Sequence, residues 1–218
     1  MKSLDFDRRC KGVPAWIPLV ALLPVLAGCF GATVVGVGAG ALMAADRRPP
    51  ETFVMDESID LRAGNRISDA FGDRAHVSVT SYNRAVLLTG EVPDAAAKSQ
   101  VEKIASGVPN VKAISNELQI AGVSTLGARS NDAYITSKVK ARFIDAGKFA
   151  VIHVKVVTES GTVYLLGMVT QRESDDAVEV TRTTGGVQRV VRVFEIITED
   201  EARRIDSRPA AGAAAKRP

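Results

Sequence analysis

The sequence predicts an α+β protein made of two tandem αββαβ units, each a three-stranded mixed sheet covered by two helices. Three observations carry this prediction. First, the chain repeats itself: His76-Val-Ser-Val-Thr80 aligns with His153-Val-Lys-Val-Val157 at a shift of 77 residues, and Val86-Leu-Leu-Thr-Gly90 with Val163-Tyr-Leu-Leu-Gly167 at the same shift. Second, Gly107-Val108-x-x-Val111 aligns with Gly186-Val187-x-x-Val190 at a shift of 79, so the second copy reads as two residues longer between these landmarks. Third, each copy passes from helical spacing to strand alternation and back, in the order helix, strand, strand, helix, strand.

In the first unit (55–121) the spacing predicts a helix over 56–70, with Ile59, Ala63, Ile67 and Ala70 forming one apolar stripe. Val77 and Val79 alternate with His76, Ser78 and Thr80, as in a half-buried strand. Asn83 marks the turn and Val86–Leu88 the returning strand. Pro93-Asp94 opens a second helix with Ala97, Val101, Ile104 and Ala105 inward; Gly107 ends it, and Val111–Ile120 supplies the third strand. After a linker at 122–128, the second unit (129–198) follows the same plan. Asn131 or Asp132 is placed to cap a helix over 133–145 with Ile135, Val139 and Phe143 on its core side. Ile152, Val154 and Val156 point inward from a strand that turns His153 and Lys155 outward. Glu159-Ser160-Gly161 is the turn, Val163–Gly167 returns, a helix runs over about 171–184, and Val190–Ile197 closes the sheet. Each sheet is expected to have one apolar face, covered by its helices. Residues 199–218 read as a disordered tail.

The N-terminal region has a different logic. Lys2, Arg8, Arg9 and Lys11 precede the apolar run Trp16–Leu26, and small residues lead to Cys29, the features of a secretory signal peptide over residues 1–28. Leu26-Ala27-Gly28-Cys29 resembles the lipobox of bacterial lipoproteins. That resemblance implies cleavage before Cys29, acylation of its sulfur and, because Phe30 rather than Asp follows, delivery to the outer membrane. Two or three acyl chains anchor stably where one gives only marginal binding. Residues 29–54 then read as the acylated cysteine and a Gly/Ala tether ending in the stiff polar linker Asp46-Arg47-Arg48-Pro49-Pro50.

Removal of residues 1–28 from 218 leaves 190, and takes the Lys and Arg from 28 to 24 and the Asp and Glu from 25 to 23. The mature chain is nearly neutral, which argues against nucleic acid as a partner. Cys10 leaves with the signal and Cys29 is consumed as a thioether, so the mature chain forms no internal disulfide. Metal chemistry is not indicated: His76 and His153 are repeat equivalents on outward strand faces, and they could meet only if the two sheets pack face to face. No nucleophile elbow, phosphate loop or activated Ser is found, so the chain reads as non-enzymatic. No cofactor is expected beyond the covalent lipid on Cys29.

The helix over 133–145 carries the candidate binding site. With Ile135, Val139 and Phe143 inward, Tyr134, Lys138 and Arg142 fall at i, i+4 and i+8 on a separate aromatic and cationic stripe. Lys140 and Lys148 lie near its flank. Such a stripe is read either as a solvated helix face or as a contact for an anionic phospholipid surface, where each Lys or Arg contributes about 1 kcal/mol and a Tyr ring sits at headgroup depth.

The two copies of Val-x-Leu-x-Gly followed by Gly-Val-x-x-Val, with Gly90, Gly107, Gly167 and Gly186 as motif glycines, resemble the BON domain family over about 55–198. The resemblance is tightest over Ser130–Val139 and Val154–Val163. It implies a periplasm-facing, membrane-anchored, non-enzymatic protein that binds anionic phospholipid and supports envelope integrity. It also implies that the first helix of the second unit contacts lipid through an aromatic, matched here by Tyr134 in place of a Trp. The alternative is a protein-interaction or chaperone-like adaptor for outer-membrane assembly proteins, acting through sheet edges or the groove between units. Asp56, Glu57, Asp60 and Asp69 on the first helix favour it, since they would be repelled by an anionic surface. A further rival is a structural tether whose basic tail, with Arg203, Arg204, Arg208, Lys216 and Arg217, touches an acidic envelope polymer.

Overall fold

Pro50, Ile59, Ala63, Ile67 and Phe71 define the first element, because Pro suits a helix start and the four apolar residues recur on one face. In the computed structural model, which describes residues 46–208, this helix, α1, spans Pro50–Phe71 and so begins six residues before the predicted start. The signal region, Cys29, the glycine-rich segment before Asp46 and residues 209–218 lie outside the described residues. After α1, β1 (His76–Tyr82) and β2 (Ala85–Val92) pair antiparallel around Asn83 and Arg84, both at positive φ. Helix α2 (Ala95–Ser106) is capped by the Asp94 carboxylate, which accepts from the Ala97 amide at 2.7 Å. The third strand is interrupted: β3 (Ala113–Asn116) and β4 (Gln119–Ile120) each pair parallel with β2. The break allows Leu118 to turn into the core, and its amide donates to the Asn116 side chain at 3.3 Å.

The second unit follows with α3 (Leu126–Ala146), β5 (Lys155–Glu159), β6 (Thr162–Val169), α4 (Gln171–Arg182) and β7 (Arg189–Ile196). Strands β5 and β6 are antiparallel, and β6 and β7 parallel. Helix α3 starts at Leu126, so the second half of the predicted linker is helical. Thr125 caps it by accepting from the Ala128 amide; Asn131 and Asp132, expected as caps, lie inside the helix. Val151–His153 forms a short 3-10 turn, which corrects the placement of His153 on an outward strand face: it is buried near Glu173 and Asp206. His76 lies instead beside Glu91 and Arg129, so the repeat does not bring the two imidazoles to a common site.

The repeat extends to a clamp that the sequence reading missed. Asp56 of α1 accepts from the amides of Asn83 and Arg84 and from the Ser81 hydroxyl, all at 2.7–2.8 Å. Asp132 of α3 accepts from the amides of Ser160 and Gly161 at 2.9 Å. Each buried carboxylate thereby pins a hairpin turn to the first helix of its unit, with charge-assisted bonds of about 1.5–3 kcal/mol each. Asp56 is consequently no part of an acidic outer face, being 2 % exposed.

The landmark glycines also need correction. The Lys112 and Gln188 amides donate to the equivalent turn carbonyls of Arg84 and Gly161, and those of Val111 and Val187 to Val108 and Thr184. The end of the repeat therefore aligns at a shift of 76, and the second copy is one residue shorter, not two longer. Gly186 corresponds to Asn110, both at positive φ, whereas Gly107 ends α2 at an ordinary negative φ. Gly90 and Gly167 are true equivalents. A Cβ on either would lie 2.0 or 2.2 Å from the carbonyl oxygen of His76 or His153, so neighbouring backbone excludes any side chain.

Three cores form. The first packs α1 and α2 on one face of the first sheet, around Ile59, Ile67, Leu88 and Val101. The second packs α3 and α4 on the second sheet, around Val139, Phe143, Val163 and Leu165. The third joins the faces that the helices leave uncovered, with Tyr82 and Leu87 from one unit and Tyr164, Leu166 and Met168 from the other. The sheets are therefore buried on both sides, not one, giving helix, sheet, sheet, helix. Burying residues such as Leu87, Tyr164 and Leu166, each at most 1 % exposed, stabilises the pairing by about 1.5–3 kcal/mol per side chain.

Both predicted unstructured flanks contribute to this body. Residues 199–206 form α5 (Glu199–Asp206), started by the Thr198 cap and docked through Ala202 and Ile205 on the third core. All five N–H groups of the Arg47 guanidinium are used: on Glu173 at 2.6 and 3.0 Å, on Asp206 twice at 2.9 Å, and on the Met168 carbonyl at 2.9 Å. Arg48 pairs with Asp46 and Asp56 and stacks 4.1 Å above the Tyr82 ring. Asp46-Arg47-Arg48 is thus a strap binding the second unit through one arginine and the first through the next, and not a solvated linker.

Candidate functional site

Helix α3 positions the predicted residues. Its buried side presents Ile135, Val139 and Phe143 to the second core, Asp132 fixes it to the hairpin, and Gly147 ends it in the left-handed conformation. The remaining surface faces outward. Tyr134 is 62 % exposed, and the Lys138 ammonium lies 4.6 Å from its ring centroid, a cation–π contact. The structure thus brings Tyr134 and Lys138 together. Lys138 donates to the Gly185 carbonyl, and Arg142, one turn further, donates to the Thr183 carbonyl and lies 3.5 Å from the Thr184 hydroxyl. These carbonyls follow the C-terminus of α4, where cations are favoured by the unsatisfied carbonyls and the helix dipole.

Lys138 and Arg142 therefore tie α3 to α4 while keeping part of their charge at the surface. Gly186 makes this approach feasible. Its Cβ would lie 3.2 Å from Ile135 and 3.4 Å from the Lys138 nitrogen, and its φ of +99° suits glycine. Lys148, expected at the flank, is paired with Asp176 at 2.8 Å, while Lys140 is exposed.

The outermost line of α3 escaped sequence reasoning. Leu126 and Ile144, 79 % and 68 % exposed, stand five turns apart on one side, joined by the exposed small residues Ala133, Ser137 and Ala141. The signal was available as apolar spacing at i, i+7 and i+18, but it is visible only once the helix begins at 126. Tyr134 borders this line. The resulting face has apolar ends, a small-residue centre, an aromatic edge and Lys140 beside it, while Lys138 and Arg142 lie further round the helix, towards the end of α4. On α1, Val54 and Leu61 are exposed at 62 % and 65 %, near Glu57. Among the described residues, no helix is long and apolar enough to cross a membrane.

Comparison with known proteins fits this architecture. The BON domain family matches residues 56–122 and 131–198. The chain is 32 % identical over 174 residues to the outer membrane lipoprotein DolP of Haemophilus influenzae, covering 79 % of this chain and 90 % of that one. It is 32 % identical over 154 residues to the 21 kDa hemolysin of Actinobacillus pleuropneumoniae, covering 70 % and 79 % of the two chains. It is also 32 % identical over 117 residues to the osmotically-inducible protein Y of Escherichia coli, covering 52 % and 58 %. With two matched copies over more than half its length, the chain belongs to the BON domain family.

Proposed function

We propose that this chain is an outer-membrane lipoprotein, acylated at Cys29 and facing the periplasm, whose second BON unit binds anionic phospholipid through α3 and thereby supports envelope integrity without catalysis. The outer-membrane location rests on the Haemophilus relative and on the Leu-Ala-Gly-Cys sequence. The observation that carries the lipid reading is the outward face of α3, where Leu126, Tyr134 and Ile144 are exposed beside Lys140, with Lys138 and Arg142 flanking the tyrosine edge. Apolar side chains enter the acyl boundary, the Tyr ring rests at headgroup depth, and each cation contributes about 1 kcal/mol near an anionic surface. Such binding is weak alone and becomes effective once the anchor on Cys29 holds the domain at the bilayer, because the second contact is then intramolecular.

Co-sedimentation of residues 46–208 with vesicles of phosphatidylcholine, alone and with increasing phosphatidylglycerol, tests this. Binding should require the anionic lipid, weaken with salt, and fall in Tyr134→Ala and in Leu126→Ser/Ile144→Ser. Lys140→Glu is the cleanest charge reversal. In Lys138→Glu/Arg142→Glu the contacts to α4 are lost as well, so circular dichroism must accompany that variant. Binding that is indifferent to phosphatidylglycerol and to all these substitutions would refute the reading. The adaptor reading is favoured by one observation, the exposed Val54 and Leu61 on α1, and predicts that Val54→Ser/Leu61→Ser loses a protein partner while lipid binding is kept.

A further inference from the structure

One end of the seam between the two units holds an ionisable cluster that the lipid reading does not use. Glu91 enters it from β2 of the first unit, 3 % exposed; Glu159 at the end of β5 and Asp132 of α3 enter from the second, each 6 % exposed. Asp132 is satisfied by its two turn amides. Glu91 accepts from the Ser124 amide at 3.2 Å and, across the seam, from the Ser160 hydroxyl at 3.5 Å. Among the described residues, no hydrogen bond reaches the Glu159 carboxylate, although a buried carboxylate ordinarily has two or three. Arg129, the nearby cation, directs its guanidinium to the Ser124 hydroxyl and carbonyl at 3.1 and 2.9 Å. A cleft of about 210 Å³, lined by His76, Ser78, Arg129, Asp132, Thr158 and Glu159, opens at this point.

Two carboxylates from different units, buried at one seam with neither in an ion pair among the described residues, are uncomfortable when both are charged. We propose that Glu159, facing Glu91 across the seam, is a proton-operated latch: with Glu159 protonated the two units close, and with that proton lost the seam loosens. The ligand is a proton and not a metal ion, because among the described residues no group of His, Cys, Asp or Glu is arranged to hold a metal. The surroundings act in the same direction. Burial, followed by the charges of Glu91 and Asp132, pushes Glu159 up to about 7 against the opposing effect of Arg129. His76 is pushed down by burial and by Arg129, against Glu91, and so supplies no compensating charge near neutrality. The Tyr164 hydroxyl, which feels Glu117, Arg189 and Glu159, is pushed up by burial and stays protonated.

A carboxyl raised above its ordinary 4.5 is protonated in the folded protein where the unfolded chain has released the proton. Its contribution is complete below about 4.5 and is lost as pH rises through about 7. The experiment is thermal unfolding of the full chain in detergent from about pH 5 to about pH 8.5, for wild type, Glu159→Gln and Glu91→Gln. Wild type should lose several degrees of midpoint as pH rises through neutrality. Glu159→Gln, a neutral isostere, should lose fewer degrees over this range and be the more stable protein at the alkaline end. Glu91→Gln should shift the wild-type transition to lower pH. Asp60, pushed up to about 6 mainly by burial, tilts all three curves alike and cancels in their differences. Amide exchange of β1 and β5 in wild type, corrected for intrinsic rates, should show weaker protection at the alkaline end. Parallel midpoint curves for wild type and Glu159→Gln, or equal corrected protection of both strands across the range, would overturn the latch.

Discussion

Arg47→Met should cost about 3–5 kcal/mol, although Arg47 lies in a segment that reads from sequence as a linker. The magnitude follows from its partners. Arg47 is 3 % exposed, and the Glu173 side chain that it holds is 7 % exposed, so removing the arginine leaves a buried carboxylate without its counter-charge. Asp206 is 41 % exposed, so water replaces most of what it loses and its share is about 0–1 kcal/mol. Met keeps much of the packed volume and forms no substitute bond. Helix α5 should suffer most, because Asp206 is its last residue and Arg47 its tie to β6 and α4.

Urea unfolding of residues 46–208 reads the loss directly, as a lower midpoint at unchanged slope. The decisive variant is Arg47→Met/Glu173→Gln. Removing the orphaned charge should recover most of the loss, since Gln retains the Thr170 capping box that Glu173 now completes. Amide exchange across residues 199–206 should rise in the single variant and fall back in the double. If Arg47→Met stays within about 1 kcal/mol of wild type, or the double variant is as unstable as the single, the strap is not the tie described here.

Three further predictions follow from the same contacts. Burial raises Glu173, but the bonds from Arg47 outweigh it and hold Glu173 and Asp206 below their ordinary 4.5 and 3.8, so their contributions are complete above those values and lost as pH falls through the depressed ones; the acid arm of unfolding should be steeper in wild type than in Arg47→Met. Gly167→Ala places a methyl 2.2 Å from the His153 carbonyl oxygen, and the required backbone shift should cost at least about 1–3 kcal/mol in urea midpoint; Gly107→Ala meets nothing closer than 3.5 Å and should be tolerated. Leu87→Ala, deep in the third core, should cost about 2–5 kcal/mol and raise exchange at the facing β6.

The units were legible because their signals are local. The stripe Ile59–Ala63–Ile67, the turn at Asn83 and the Pro93-Asp94 helix start each lie within one element, and the repeat writes most of them twice. What stayed hidden depends on long-range partners. Thr162–Val169 reads as a continuous apolar run, the mark of a strand buried on both faces, yet alternation on β1 suggested one solvated side; the partner sheet that covers Tyr164 and Leu166 lies in the other unit. Asp56 and Asp132 look like ordinary acidic helix residues until the hairpin turns reach them. Arg47 finds its acceptors 121 to 159 residues away, which no local pattern announces. At the candidate site, Tyr134, Lys138 and Arg142 form one stripe as the spacing predicts, while their ties to Thr183 and Gly185 depend on a loop more than forty residues away.

On the proposed reading the outward face of α3, and no other helix, meets anionic phospholipid. The direct measurement is paramagnetic broadening of side-chain methyl signals in residues 46–208 on nanodiscs containing phosphatidylglycerol and a spin-labelled lipid. Leu126 and Ile144 on α3 and Val54 and Leu61 on α1 are comparably exposed, at 62–79 %, so accessibility alone does not separate them. The methyls of Leu126 and Ile144 should broaden, only when phosphatidylglycerol is present, while those of Val54 and Leu61 stay sharp. Broadening on α1 in place of α3, or none at all under conditions where the protein binds the discs, would contradict the claim.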